Sequence, residues 1–79
     1  MFKQNIFDST SEKIKDVILE QADTIKLTTG LVPYLICSTK TYIELTGQPI
    51  GVRFSPVYYE EKIKVLFDND LPYGIISVR

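Results

Sequence analysis

Lys62-Ile63-Lys64-Val65-Leu66-Phe67, then Asp68-Asn69-Asp70, then Tyr73-Gly74-Ile75-Ile76-Ser77-Val78 is the stretch on which the fold turns. Tyr59, Ile63, Leu66 and Phe67 recur at helical spacing, and Ser55-Pro56 ahead of Glu60-Glu61 resembles a helix start. Ile63, Val65 and Phe67 match strand alternation equally well, with Lys62, Lys64 and Leu66 on the opposite face. The Asx cluster is a strong turn signal, and a second strand-forming run lies beyond it. Two extended runs around a polar turn make a hairpin the simpler reading, so Lys62–Phe67 and Tyr73–Val78 are expected to be antiparallel partners.

Working back toward the N-terminus, Ile50, Val52 and Phe54 alternate around Gly51 and Arg53 in a strand that Pro56 ends. Thr39 to Thr46 favours a strand by propensity. The punctuation favours a short helix instead: Ser38 as N-cap, Gly47 just past the end, Pro49 beyond. Capping has a mechanism and propensity is a weak prior, so a second short helix is expected there, with Tyr42 and Leu45 inward and Ile43 flanking. Leu31 to Cys37 reads as a strand, with Pro33 suiting an edge or a first position. Ahead of it, Ile14, Val17, Ile18, Gln21 and Ile25 recur at helical spacing behind a Ser9–Glu12 capping box. This predicts a helix from about Thr10 to Thr24, with Ile25 to Thr29 able to fray into an extended segment before Gly30.

The expected fold is therefore α+β. An N-terminal amphipathic helix packs on a small, mostly antiparallel sheet of about four strands, with the second short helix beside it. No linker, repeat or low-complexity stretch divides the chain, so residues 1–79 read as a single domain. A 79-residue chain with one strong helix over such a sheet has little core, and completion by another copy is expected.

Composition removes many chemistries. The chain has no His, no Trp and one Cys. Without His, the usual zinc sites and the Ser-His-Asp and Cys-His nucleophile systems are out of reach. Cys37 cannot form an intramolecular disulfide, and beside Leu35 and Ile36 it reads as a small core residue. Asp68-Asn69-Asp70-Leu71-Pro72 breaks the calcium-loop pattern at once and reads as a turn. Glu60 and Glu61 are adjacent, so they point to different sides of either a helix or a strand. Gly30, Gly47, Gly51 and Gly74 form no phosphate-binding loop. No catalytic residue, metal or cofactor is expected.

Nine basic residues stand against ten acidic ones, and the two halves of the chain are similarly balanced. The basic excess of a dedicated nucleic-acid binder is missing. No apolar run reaches the ~20 residues a membrane span needs, and no signal peptide opens the chain, so a cytoplasmic protein without a membrane partner is expected. The leading expectation is a non-enzymatic regulatory or interaction module that self-associates and binds another protein. Phe54, Tyr58 and Tyr59 are its first candidate contacts if exposed. The alternative is a nucleic-acid-binding regulator using Arg53, Lys62 and Lys64 with flanking tyrosines. An enzyme assembled across an oligomer interface comes third.

Overall fold

A computed structural model describes residues 2–47 and 56–79. In chain order its elements are β1 (Phe2–Asn5), a 3-10 turn (Ile6–Asp8), α1 (Ser11–Thr29), β2 (Tyr34–Cys37), α2 (Thr39–Thr46), β3 (Tyr58–Tyr59), β4 (Ile63–Phe67) and β5 (Ile75–Val78). The fold is α+β, with one sheet of five strands in the order β1-β5-β2-β4-β3. All pairings are antiparallel except β2 with β4.

Local chemistry sets the helix ends. Ser9, Thr10 and Ser11 are three hydroxyl residues in a row, and each could cap a helix. Thr10 takes the role: its backbone is extended and its Oγ1 accepts from Lys13 N at 3.3 Å. The expected Ser9 cap is therefore one residue early. At the other end α1 runs to Thr29 rather than fraying after Thr24. The Oγ1 atoms of Thr24, Thr28 and Thr29 donate to the carbonyls of Glu20, Thr24 and Ile25, so these hydroxyls are satisfied within the helix. Gly30, at φ 71, then closes it by donating to Lys26 O at 3.0 Å.

α2 has the expected bounds. Ser38 Oγ accepts from Thr41 N at 3.2 Å, and Gly47, at φ 69, donates to Ile43 O at 2.7 Å. The Asx turn after β4 contributes from a distance. Asn69 Oδ1 accepts from both Thr39 N and Thr39 Oγ1, at 3.0 and 3.1 Å, satisfying one of the free amides of the first turn of α2. Asp68 Oδ1 accepts from Asp70 N, which is the local bond that makes this sequence a turn. Leu45 is buried as expected, but Tyr42 is only half-buried, edge-on to Phe67 at 5.5 Å. The residue sealed beneath α2 is Thr41, which the sequence reading left out.

The expected pairing of β4 with β5 is wrong. β2 lies between them, in parallel register with β4 (Leu35 opposite Val65, Cys37 opposite Phe67) and antiparallel to β5 (Leu35 opposite Val78, Cys37 opposite Ile76). Leu35, Ile36 and Cys37 are all buried, and a strand apolar on both faces belongs at the centre of a sheet. The connection over residues 68–74 exceeds the ~2–5 residues of a tight hairpin loop, so the chain can step across a strand. Pro33 does not mark an edge. It is buried just ahead of β2, where its missing N–H falls outside the ladder. The strand expected from Leu31 accordingly starts only at Tyr34, and the one expected from Tyr73 starts at Ile75. β1 was not foreseen; it covers the outer edge of β5. The strand expected over 50–54 lies outside the described residues, as do Arg53 and Phe54.

One hydrophobic cluster joins Ile14, Ile18 and Ala22 of α1 and Leu45 of α2 to Leu35, Cys37, Ile63, Val65, Ile76 and Val78 of the sheet. Residues paired across strands share a face. Both helices therefore cover the same side of the sheet, and no described helix covers the other.

Candidate interaction surface

Two surfaces stand out, and the second of them contains Tyr58 and Lys64. The first is the corner where α1 gives way to β2. Helix termination at Gly30 forces the chain to turn before β2 begins, and this leaves Leu31 and Val32 outside the core; Leu27, still within α1, is on the helix face away from Ile14 and Ile18. Leu27 is 86 % exposed, Leu31 68 % and Val32 67 %. Leu31 and Val32, with Ile25, Thr29, Tyr34 and Arg79, border an open, mainly apolar pocket of about 590 Å3. Isolated exposed apolar residues are ordinary, but a contiguous group of them marks an interaction site.

The second surface is the helix-free face of the sheet. Tyr58 is opposite Lys64, Lys64 is opposite Tyr34, and Tyr34 exchanges both backbone hydrogen bonds with Arg79, at 2.6 and 3.0 Å. These four residues form one row across β5, β2, β4 and β3. The adjacent row runs Lys3, Ser77, Ile36, Leu66. Lys3, Arg79 and Tyr58 are exposed, Tyr34 and Lys64 half-buried, and no described strand carries a carboxylate. Ser77 sits fully buried in the middle of this face, and its Oγ has no hydrogen-bond partner among the described residues.

Acidic groups collect on the helix side. Glu12, Glu60 and Glu61 border a cleft of about 560 Å3 with Lys15 and Tyr42, between the start of α1, α2 and the β3–β4 turn. Burial raises the Tyr42 and Tyr59 phenols, Tyr59 to about 12, and the Glu60 carboxylate adds to both shifts. The turn itself is strained. Glu60 and Glu61 occupy left-handed backbone at φ 52 and 59, closed by Lys62 N donating to Tyr59 O at 3.1 Å. That is the geometry for which Asn-Gly is the usual sequence.

The candidate contact residues separate. Tyr58 is 51 % exposed, whereas its neighbour Tyr59 is 4 % exposed and belongs to the core opposite Ile63. Lys62 is exposed in the turn and Lys64 lies half-buried on the helix-free face, so the two are not side by side, and Arg53 lies outside the described residues. Leu31 and Val32 were missed as contacts because the segment after Gly30 reads as a buried strand. Cys37 is fully buried, and burial pushes its thiol up to about 12, far from the thiolate that nucleophilic chemistry requires. Among the described residues no group of His, Cys, Asp and Glu could hold a metal ion, and no helix is long and apolar enough to cross a membrane.

No family model, curated protein or solved structure matches the chain.

Proposed function

We propose that this protein is a non-enzymatic interaction module that self-associates and binds another protein through the corner between α1 and β2. The observation that supports this reading is the exposure of Leu31 and Val32 around the pocket lined by Ile25 and Tyr34. Removing such a cluster from water is favourable at ~25 cal/mol per Å2, and a short chain with a one-sided core gains most from a partner that supplies the missing apolar contact. Arg79 at the margin of the pocket supplies a polar rim, the usual arrangement around an apolar interface centre.

Light scattering across a wide concentration range tests the self-association. The wild-type mass is expected to rise with concentration, and the Leu31→Asp/Val32→Asp double variant to remain monomeric with an unchanged circular dichroism spectrum. A wild-type protein that is monomeric throughout, or a double variant that associates equally well, would overturn the placement of the interface.

A further inference from the structure

The helix-free face has a charge character that the whole chain lacks. Ten acidic and nine basic residues nearly cancel overall. Strand pairing nevertheless gathers Lys3, Lys64 and Arg79 on one face with Tyr34 and Tyr58, and leaves every described carboxylate in helices, turns and loops. The nearest acidic pair in sequence, Glu60-Glu61, borders the cleft beside the helices, which Tyr58 also reaches at the rim of the sheet, and Glu60 acts on Tyr42 and Tyr59 there.

We infer that this face is a binding platform for a single-stranded nucleic acid; it shares Tyr34 and Arg79 with the margin of the protein-binding corner proposed above. The row Arg79, Tyr34, Lys64, Tyr58 alternates cation with aromatic ring across four adjacent strands. Tyr34 and Tyr58 are two strands apart, which is roughly 10 Å at the usual strand spacing. Bases stack on aromatic side chains with little sequence preference, while interleaved cations neutralise the backbone phosphates. Lys3 extends the positive field to the neighbouring row, and Ile36 and Leu66 give it an apolar floor on which unpaired bases are less exposed to water. A duplex hides its base faces inside its own stack, so this arrangement selects single strands. A wholly apolar face would suit a second copy of the chain; three cations without a counter-charge disfavour the same face meeting itself.

The test is fluorescence anisotropy of labelled oligothymidylate and oligouridylate against a duplex of the same length, at low and moderate salt. Binding to the single strands is expected, with a duplex affinity at least several-fold weaker. With three cations engaged, log K should fall against log salt with a slope of about −2. Tyr58→Ala should weaken binding roughly ten-fold and Tyr58→Phe should restore it, because the ring and not the hydroxyl provides the stacking surface. Lys64→Glu should weaken it further. Tyr58 and Lys64 are not core residues, and circular dichroism of each variant confirms the fold. Absence of binding at low salt, equal affinity for duplex, or binding insensitive to both Tyr58→Ala and Lys64→Glu would overturn the inference. So would a change of oligomer mass in Tyr58→Ala or Lys64→Glu, since that would assign the face to a second copy.

Discussion

Replacing Thr41 with Val tests the joint that holds α2 to the sheet. Thr41 is fully buried, and its Oγ1 accepts from the buried Gly74 N–H at 2.9 Å while sharing a 2.8 Å hydrogen bond with Ser38 Oγ. Valine keeps the shape and the helix propensity but removes the acceptor. Leaving a buried amide unsatisfied costs about 1–3 kcal/mol, and the added methyl returns something under 1 kcal/mol. The net expected loss is about 1–2 kcal/mol, which for a domain of this size lowers Tm by roughly 5–15 °C. Thr41→Ser separates the contributions, since it keeps the hydroxyl and removes only a methyl, at a cost of about 1 kcal/mol. Urea unfolding followed by far-UV circular dichroism gives both values, and unchanged m-values show that the same structure is lost. Hydrogen exchange at the Gly74 amide gives a local readout and should accelerate in Thr41→Val alone. If Thr41→Val is as stable as wild type, or Thr41→Ser is clearly the worse of the two, then the hydroxyl does not anchor α2 to the start of β5.

Three further perturbations address backbone strain and ionisation. Glu61 is held at φ 59 on the β3–β4 turn, so Glu61→Gly should stabilise by about 1 kcal/mol, measured as a rise in the urea midpoint. Gly74 adopts φ 90 with the Phe7 ring 2.8 Å from where a Cβ would be, whereas Gly30 at φ 71 has open space around it. Gly74→Ala should therefore cost more than the ~1 kcal/mol of left-handed strain expected for Gly30→Ala, and Phe7→Ala in the same chain should recover the difference. Burial raises the Cys37 thiol from 9.0 to about 12 and the Tyr59 phenol from 10.0 to about 12. Above pH 9 the unfolded chain releases these protons first and so binds fewer than the fold. Stability is therefore complete below pH 9 and declines as pH rises toward 12. The urea midpoint should follow that decline, and Cys37→Ala should flatten its onset between pH 9 and 10.

The sequence made some of this architecture readable and hid the rest for identifiable reasons. α1 and α2 were legible because helical spacing and caps are local: Ser38 and Gly47 alone bracket α2. The cap of α1 was displaced by one residue because consecutive hydroxyls at 9, 10 and 11 offer the same chemistry, and only the helix register chooses among them. Strand content near the C-terminus was legible, but partner choice was not. Alternation reports which face a residue takes and says nothing about which strand lies alongside. The length of the 68–74 connection was the available signal against a hairpin. For the same reason Tyr58 and Tyr59 were indistinguishable until register with β4 placed one outward and one inward. Lys64 with flanking tyrosines was legible as a candidate, but its grouping with Lys3 and Arg79 was not, since these residues are distant in the chain and come onto one face only through strand pairing. The apolar corner was hidden by a propensity that favours burial, while Gly30 ended the helix too early for those side chains to reach the core.

The position of β5 bears on how the domain is made. It is the last of the five strands in chain order, yet it lies between the first two, and nothing else among the described strands pairs with β1. Until β5 emerges during synthesis, β1 has no strand to join and β2 presents a bare apolar edge beside the finished half formed with β4 and β3. Assembly is thus an act of insertion and not of addition at the rim. Before β5 is in place the described strands form two separate pieces, and β5 is what joins them.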